Sequence, residues 1–103
     1  MLNLISKIFG NQFSYIQAKV EIYTWQTCPY CIKAKWLLWL KGCDFQEYKI
    51  DGDNTARKLM IDRANGKKTL PQIFINNISI GGCDNLYRLD QEKKLDILLS
   101  ESL

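Results

Sequence analysis

Thr27-Cys28-Pro29-Tyr30-Cys31 stands between an apolar run, Val20-Glu21-Ile22-Tyr23-Thr24, and a helical pattern from Ile32 to Leu40. Two cysteines separated by two residues, where a strand hands over to a helix, mark a redox pair when a βαβ pattern follows. Pro29 fits the first helical position, because the N–H it lacks is one the helix leaves unpaired anyway. Cys28 is then the N-cap, its sulfur beside free amides and the positive end of the helix dipole. Such a setting favours thiolate over thiol. Cys31, one turn further in, has less access to solvent and can attack a mixed disulfide formed on Cys28.

Two plainer readings of the pair carry less weight. Zinc takes about four ligands, usually as two paired clusters, whereas this chain has one pair and no histidine. No resident metal is therefore expected. A purely structural bridge across so short a loop restrains the unfolded chain little, since that benefit grows with loop length.

The 103 residues allow one domain with a single core. A hydrophobic content of 47% with 24% charged residues is ordinary for a globular protein. The net charge of +3 can attract a small anion. Without a clustered Lys/Arg face it does not argue for nucleic acid. Four cysteines, Cys28, Cys31, Cys43 and Cys83, fall short of a secreted disulfide scaffold. A reducing compartment in which a thiol pair can cycle is expected, and the cytoplasm is the first choice. Absent histidine also removes every Ser-His-Asp or Cys-His nucleophile. Chemistry must then run on a thiol activated by backbone dipoles and cations.

Residues 1–18 read as an extension ahead of a domain spanning 19–103. Leu2, Leu4, Ile5, Ile8, Phe9 and Phe13 recur at roughly helical spacing, and Gly10-Asn11 interrupts them. A short extra helix packed on the domain is the expectation. An organellar targeting segment is the other reading, weakened because such segments are rich in arginine and this one has none. The apolar run is too short to span a membrane, so no membrane partner is expected.

From Lys19 the pattern is strand, helix, strand, helix. Lys19 to Thr24 alternates and is rich in β-formers. The first helix runs from Pro29 to about Lys41 and stops at Gly42. Trp36 and Trp39 read as packing residues, and Cys43 as a half-buried structural thiol. Asp44 to Ile50 is the second strand, followed by a capping turn at Asp51-Gly52-Asp53-Asn54. The second helix, about Thr55 to Ala64, buries Ala56, Leu59 and Met60 and ends at Asn65-Gly66. Short links of this kind predict a parallel strand pair. Leu70-Pro71 opens a third strand through Asn76, because proline at a strand's first residue forfeits no ladder donor. Asn76-Asn77 turns it into Ile78-Ser79-Ile80 as a hairpin. Gly81-Gly82 breaks the chain before a final helical stretch, itself broken near Asp90-Gln91-Glu92.

Three separated pieces together resemble one family. Thr27-Cys28-Pro29-Tyr30-Cys31, Thr69-Leu70-Pro71-Gln72-Ile73-Phe74-Ile75 and Gly81-Gly82-Cys83-Asp84-Asn85-Leu86-Tyr87 are similar to the dithiol glutaredoxins. The likeness covers about Val20 to Leu99. It implies an α/β thioredoxin fold in the order β-α-β-α-β-β-α, a four-stranded mixed sheet flanked by helices. It implies a cis Pro71 beside the cysteines; residues before a proline are in any case extended. It also implies a glutathione groove. There the Leu70 backbone pairs with the tripeptide, Tyr30 and Thr69 line the wall, and Gly82 allows close approach. The amides of Gly82 and Cys83 suit the γ-glutamyl carboxylate, and Asp84 meets its ammonium. Trp25 departs from the pattern, standing where many members carry lysine. Lys33, Arg57, Lys67 and Lys68 are the candidates for the replacement cation. Asn85 stands where an acid or threonine is common.

The function expected from the resemblance is glutathione-dependent thiol-disulfide exchange on Cys28 and Cys31. Its partners are glutathione and glutathionylated or disulfide-containing proteins, acted on by a monomer. The rivals are a redoxin reduced by thioredoxin reductase and a carrier of a glutathione-ligated [2Fe–2S] cluster.

Overall fold

The computed structural model describes residues 16–102. Strand β1, Val20–Thr24, is buried along its whole length, because helices cover both of its faces and strands flank both edges. Val20 and Ile22 point into one core with Ala34, Leu38, Ile73 and Leu86. Tyr23 points into a second core with Ile50, Met60, Ala64 and Phe74. The period of two along the strand sorts side chains between the two cores.

After β1 come helix α1 (Pro29–Leu40), β2 (Gln46–Lys49), α2 (Asn54–Arg63), β3 (Gln72–Ile75), β4 (Ile78–Gly81), α3 (Cys83–Gln91) and α4 (Leu95–Ser100). The sheet order is β2-β1-β3-β4. β1 runs parallel to β2, as the short links predict, and antiparallel to β3. This is the mixed four-stranded α/β sheet flanked by helices that the resemblance implied, with the last helical stretch split in two. At that split Lys93 adopts φ +62° and the Lys94 amide donates to the Leu89 carbonyl at 2.8 Å.

Local signals place the turns. Gly42 takes φ +72°, and the Cys43 amide closes on the Leu38 carbonyl at 3.0 Å, ending α1 in the left-handed cap that glycine permits. The Asp53 carboxylate accepts the Ala56 amide at 2.9 Å and caps α2. Asn76 and Asn77 both lie at positive φ, 51° and 68°, the geometry of a two-residue hairpin turn. Asn76 is also held from outside the turn, accepting the Lys19 amide and donating to the Glu101 carbonyl.

Several expectations need correction. β2 is shorter than Asp44 to Ile50, although Ile50 is buried just beyond its end. Gly81 closes β4 instead of breaking the chain, opposite Ile73 at a register shift. Trp36 and Trp39 are 58% and 67% exposed, their rings 5.8 Å apart on the outer surface. The buried stripe of α1 is Cys31, Ala34, Leu37 and Leu38. Apolar residues surround this helix, so periodicity could not choose the face that meets the sheet. Leu59 is likewise exposed, and Met60 alone is fully buried within α2. Cys43 is fully buried, not half-buried. Its thiol donates to the Asp44 carbonyl at 3.2 Å, and burial pushes it up to about 12.

The expectation for residues 1–15 lies outside the described residues. Of the anticipated extension, Ile16 and Ala18 pack against the first core, and the amides of Gln17 and Ala18 share the Leu99 carbonyl.

A partly buried ion pair ties α2 to the sheet. Arg63 donates to both carboxylate oxygens of Glu21, at 2.8 and 3.2 Å, and to the Tyr23 hydroxyl at 3.0 Å. Tyr48 donates its hydroxyl to the same carboxylate, and the guanidinium lies 4.1 Å from the Phe74 ring centre. The Arg63 hydrogen bonds outweigh burial and hold the Glu21 carboxyl below the usual range.

Candidate active site

The parallel strands β1 and β2 end side by side, with the Ile50 amide bonded to the Thr24 carbonyl at 2.9 Å. Their following loops meet beyond those ends, where ligands of open α/β sheets commonly bind. The Asp51 carboxylate accepts the Gln26 amide at 3.0 and 3.1 Å, fixing the approach to the cysteine pair.

Cys28 is the N-cap of α1, in extended conformation, and Pro29 is the first helical residue. The Cys28 sulfur accepts the Cys31 amide at 3.3 Å. It is partly exposed, while Cys31 is fully buried. Burial, then the hydrogen bond to Cys28 and the charge there, push the Cys31 thiol up to about 12. One reachable sulfur and one shielded, protonated sulfur thus sit a helical turn apart.

The Leu70–Pro71 peptide is cis, as the resemblance implied, and the Cys28 thiol points at the Leu70 carbonyl oxygen 3.9 Å away. A cavity of about 250 Å³ opens here. Tyr30 lines it from α1, and Thr69, Leu70 and Pro71 from the loop before β3. Gly82, Cys83 and Asp84 line it from the start of α3. Every residue that the resemblance assigned to the groove is therefore on this wall or, for Cys28, beside it.

The junction at Gly82 is tight. A Cβ there would come 3.3 Å from the Pro71 carbonyl oxygen, so glycine lets the α3 start approach the cis-proline loop. The Gly82 amide donates to the Asn85 side-chain oxygen at 3.0 Å. Asn85 is thus a cap for α3, a role that needs no charge. A Cβ on Gly81 would fall 2.5 Å from that same oxygen. The Cys83 thiol is buried and raised, chiefly by that burial.

Among the four candidate cations, Lys67 lines the cavity. Lys33 lies over the Tyr87 ring. Arg57 lies 6.0 Å from the Trp25 ring centre and donates to the Lys68 carbonyl. Gln72 and Asn85 also line the wall, and the sequence reading gave neither a place there. For Gln72 a signal existed: it is the polar member of an otherwise apolar strand, Gln72-Ile73-Phe74-Ile75.

The glutaredoxin family model matches residues 20–80. A probable glutaredoxin of Synechocystis is 58% identical over 97% of this chain and 92% of its own length. The solution structure of a dithiolic glutaredoxin from Trypanosoma brucei brucei superposes with a TM-score of 0.73 at 41% identity, covering 80% of this chain and 87% of that one. A buckwheat glutaredoxin–glutathione complex shares the fold, with a TM-score of 0.74 at 22% identity over 96% of this chain and 92% of that one.

Proposed function

The chain belongs to the glutaredoxin family, and from that premise we propose that it is a glutathione-dependent thiol-disulfide oxidoreductase that reduces protein–glutathione mixed disulfides and protein disulfides. Glutathione-dependent thiol redox chemistry is the common property of the family. The finer reading rests chiefly on one observation: a partly exposed Cys28 sulfur, bonded to a helix N-terminal amide, beside the cavity mouth.

Both the amide hydrogen bond and the helix dipole favour negative charge on an attacking sulfur. The Cys28 thiolate attacks the glutathione sulfur of a mixed disulfide, forming a Cys28–glutathione disulfide and releasing the protein thiolate. A second glutathione thiolate attacks that glutathione sulfur, oxidised glutathione leaves, and Cys28 is free again. On a protein disulfide, Cys28 forms the mixed disulfide and Cys31 then attacks the Cys28 sulfur. The substrate departs as a dithiol, and two glutathiones reduce the resulting bridge.

The environment of Cys31 fits that order of events. After burial, what holds its proton is the hydrogen bond to Cys28 and the charge there. The charge is removed and the hydrogen bond weakened once the Cys28 sulfur is locked in a disulfide, while burial remains, so Cys31 becomes easier to ionise when it must attack.

Tyr30, Thr69, Leu70, Pro71, Gly82, Cys83 and Asp84 are the proposed glutathione contacts, with Lys67 the cation for the glycine carboxylate. Glutathione is a co-substrate here, and four cysteines in 103 residues, too few for a disulfide scaffold, suit a reducing compartment such as the cytoplasm.

The test is turnover of a glutathionylated peptide and a small disulfide, with glutathione regenerated by its reductase. Glutathione-driven turnover that Cys28→Ser abolishes supports the reading. Restoration of the dithiol by thioredoxin reductase and NADPH, with none by glutathione, overturns it.

A further inference from the structure

Gln72 begins β3 directly after the cis proline and lines the cavity, yet it is only 1% exposed. Among the described residues, both of its side-chain hydrogen bonds go to one residue. Its amide nitrogen donates to the Thr69 carbonyl at 2.9 Å and to the Thr69 hydroxyl oxygen at 3.2 Å. A carbonyl oxygen only accepts, so the nitrogen, not the oxygen, must face Thr69. The side-chain oxygen of Gln72 is then buried with no hydrogen-bond partner among the described residues.

This arrangement is poor if Gln72 serves only to pack. A buried polar atom without a partner destabilises the fold, and an apolar side chain of similar shape avoids that penalty. The next residues of the strand, Ile73, Phe74 and Ile75, are all apolar and buried.

What the carboxamide accomplishes is to set the state of Thr69. Because the Thr69 hydroxyl oxygen receives a hydrogen bond from Gln72, its own proton is left to donate elsewhere. Thr69 itself is exposed and lines the cavity. We propose that Gln72 is a positioning residue for glutathione recognition: it clamps the Thr69 carbonyl and turns the Thr69 hydroxyl into a donor for an acceptor oxygen of the bound tripeptide. The inference rests on the glutathione reading above and adds the residue that orients one wall of the groove. Gln72 acts through Thr69, so it affects capture of glutathione and not the sulfur chemistry.

The experiment compares wild type with Gln72→Met, Gln72→Glu, Thr69→Val and the double variant Gln72→Met/Thr69→Val. Each is assayed for KM and kcat toward the glutathionylated peptide in the coupled assay, and for the rate of Cys28 alkylation by iodoacetamide, which needs no glutathione. The expected result is a KM raised about tenfold in Gln72→Met, with kcat and the alkylation rate within about twofold of wild type. Gln72→Glu keeps the shape, and its ionised carboxylate can only accept from the Thr69 hydroxyl, so above its own pKa it raises KM at least as much; it decides the matter if Gln72→Met does not fold. The double variant stays well short of the product of the single effects, because Gln72 and Thr69 act as a unit. An unchanged KM in both Gln72 variants, full multiplicativity in the double variant, or a loss confined to kcat overturns the inference. If wild type itself shows no glutathione turnover, the functional reading fails first, and the two failures are thereby told apart.

Discussion

The Cys28 sulfur lies 3.9 Å from the Leu70 carbonyl oxygen, although 42 positions separate them in the chain. One belongs to the start of a helix and the other to the loop entering a strand. Their meeting brings a partly exposed sulfur to the backbone edge of the cavity.

Alkylation should discriminate the cysteines. Cys28 is partly exposed, whereas Cys31, Cys43 and Cys83 are buried, and burial keeps the Cys31 and Cys43 thiols protonated up to about 12. Iodoacetamide on the native reduced protein at neutral pH should label Cys28 alone, as read by peptide mass spectrometry. Labelling of Cys31 at a comparable rate would contradict the shielding described.

Removing the buried thiol should split the two activities. Cys31→Ser should retain turnover of a glutathionylated peptide, which needs only Cys28 and glutathione. It should lose at least about tenfold in reduction of a protein disulfide, where Cys31 is the resolving group. The same glutathione-coupled assay reads both.

Among the four basic residues near the groove, Lys67 should matter most for glutathione. Lys67→Ala should raise KM for a glutathionylated peptide about three- to fivefold, the scale of a partly exposed ion pair. Lys33→Ala, Arg57→Ala and Lys68→Ala should each change it by less than about twofold.

Arg63→Ala should destabilise the fold by about 2 kcal/mol, because it leaves the buried Glu21 carboxylate with the Tyr48 hydroxyl but no cation. Urea unfolding followed by circular dichroism measures this. Since Arg63 holds the folded-state Glu21 carboxyl below its ordinary value, the stabilisation is present above the ordinary carboxylate range. It is lost as pH falls through the lowered folded value. The gap between wild type and Arg63→Ala should therefore narrow in acid.

The exposed face of α1 should tolerate change that its buried face does not. Trp39→Gln should shift stability by no more than about 0.5 kcal/mol, whereas Leu38→Ala, at a fully buried position, should cost about 2–5 kcal/mol. Equal penalties would restore the packing role that the sequence suggested for Trp39.

By itself the sequence determined what depends on neighbours a few residues apart. The cysteine N-cap with Pro29, the Gly42 stop, the Asp53 cap and the Asn76-Asn77 turn follow from backbone sterics, missing amides and local dipoles. The three stretches Thr27–Cys31, Thr69–Ile75 and Gly81–Tyr87, in that order, were enough to indicate the family. Only the tertiary structure decided which surfaces meet. It chose Ala34, Leu37 and Leu38 over Trp36 and Trp39 as the inner face of α1, because that helix is apolar nearly all round. It paired Glu21 with Arg63, gave the Gly82 amide to Asn85, and brought Lys67 and Gln72 to the cavity wall. Those outcomes rest on contacts between residues distant in the chain or on which way a side chain turns, and nothing in a short stretch of sequence encodes either.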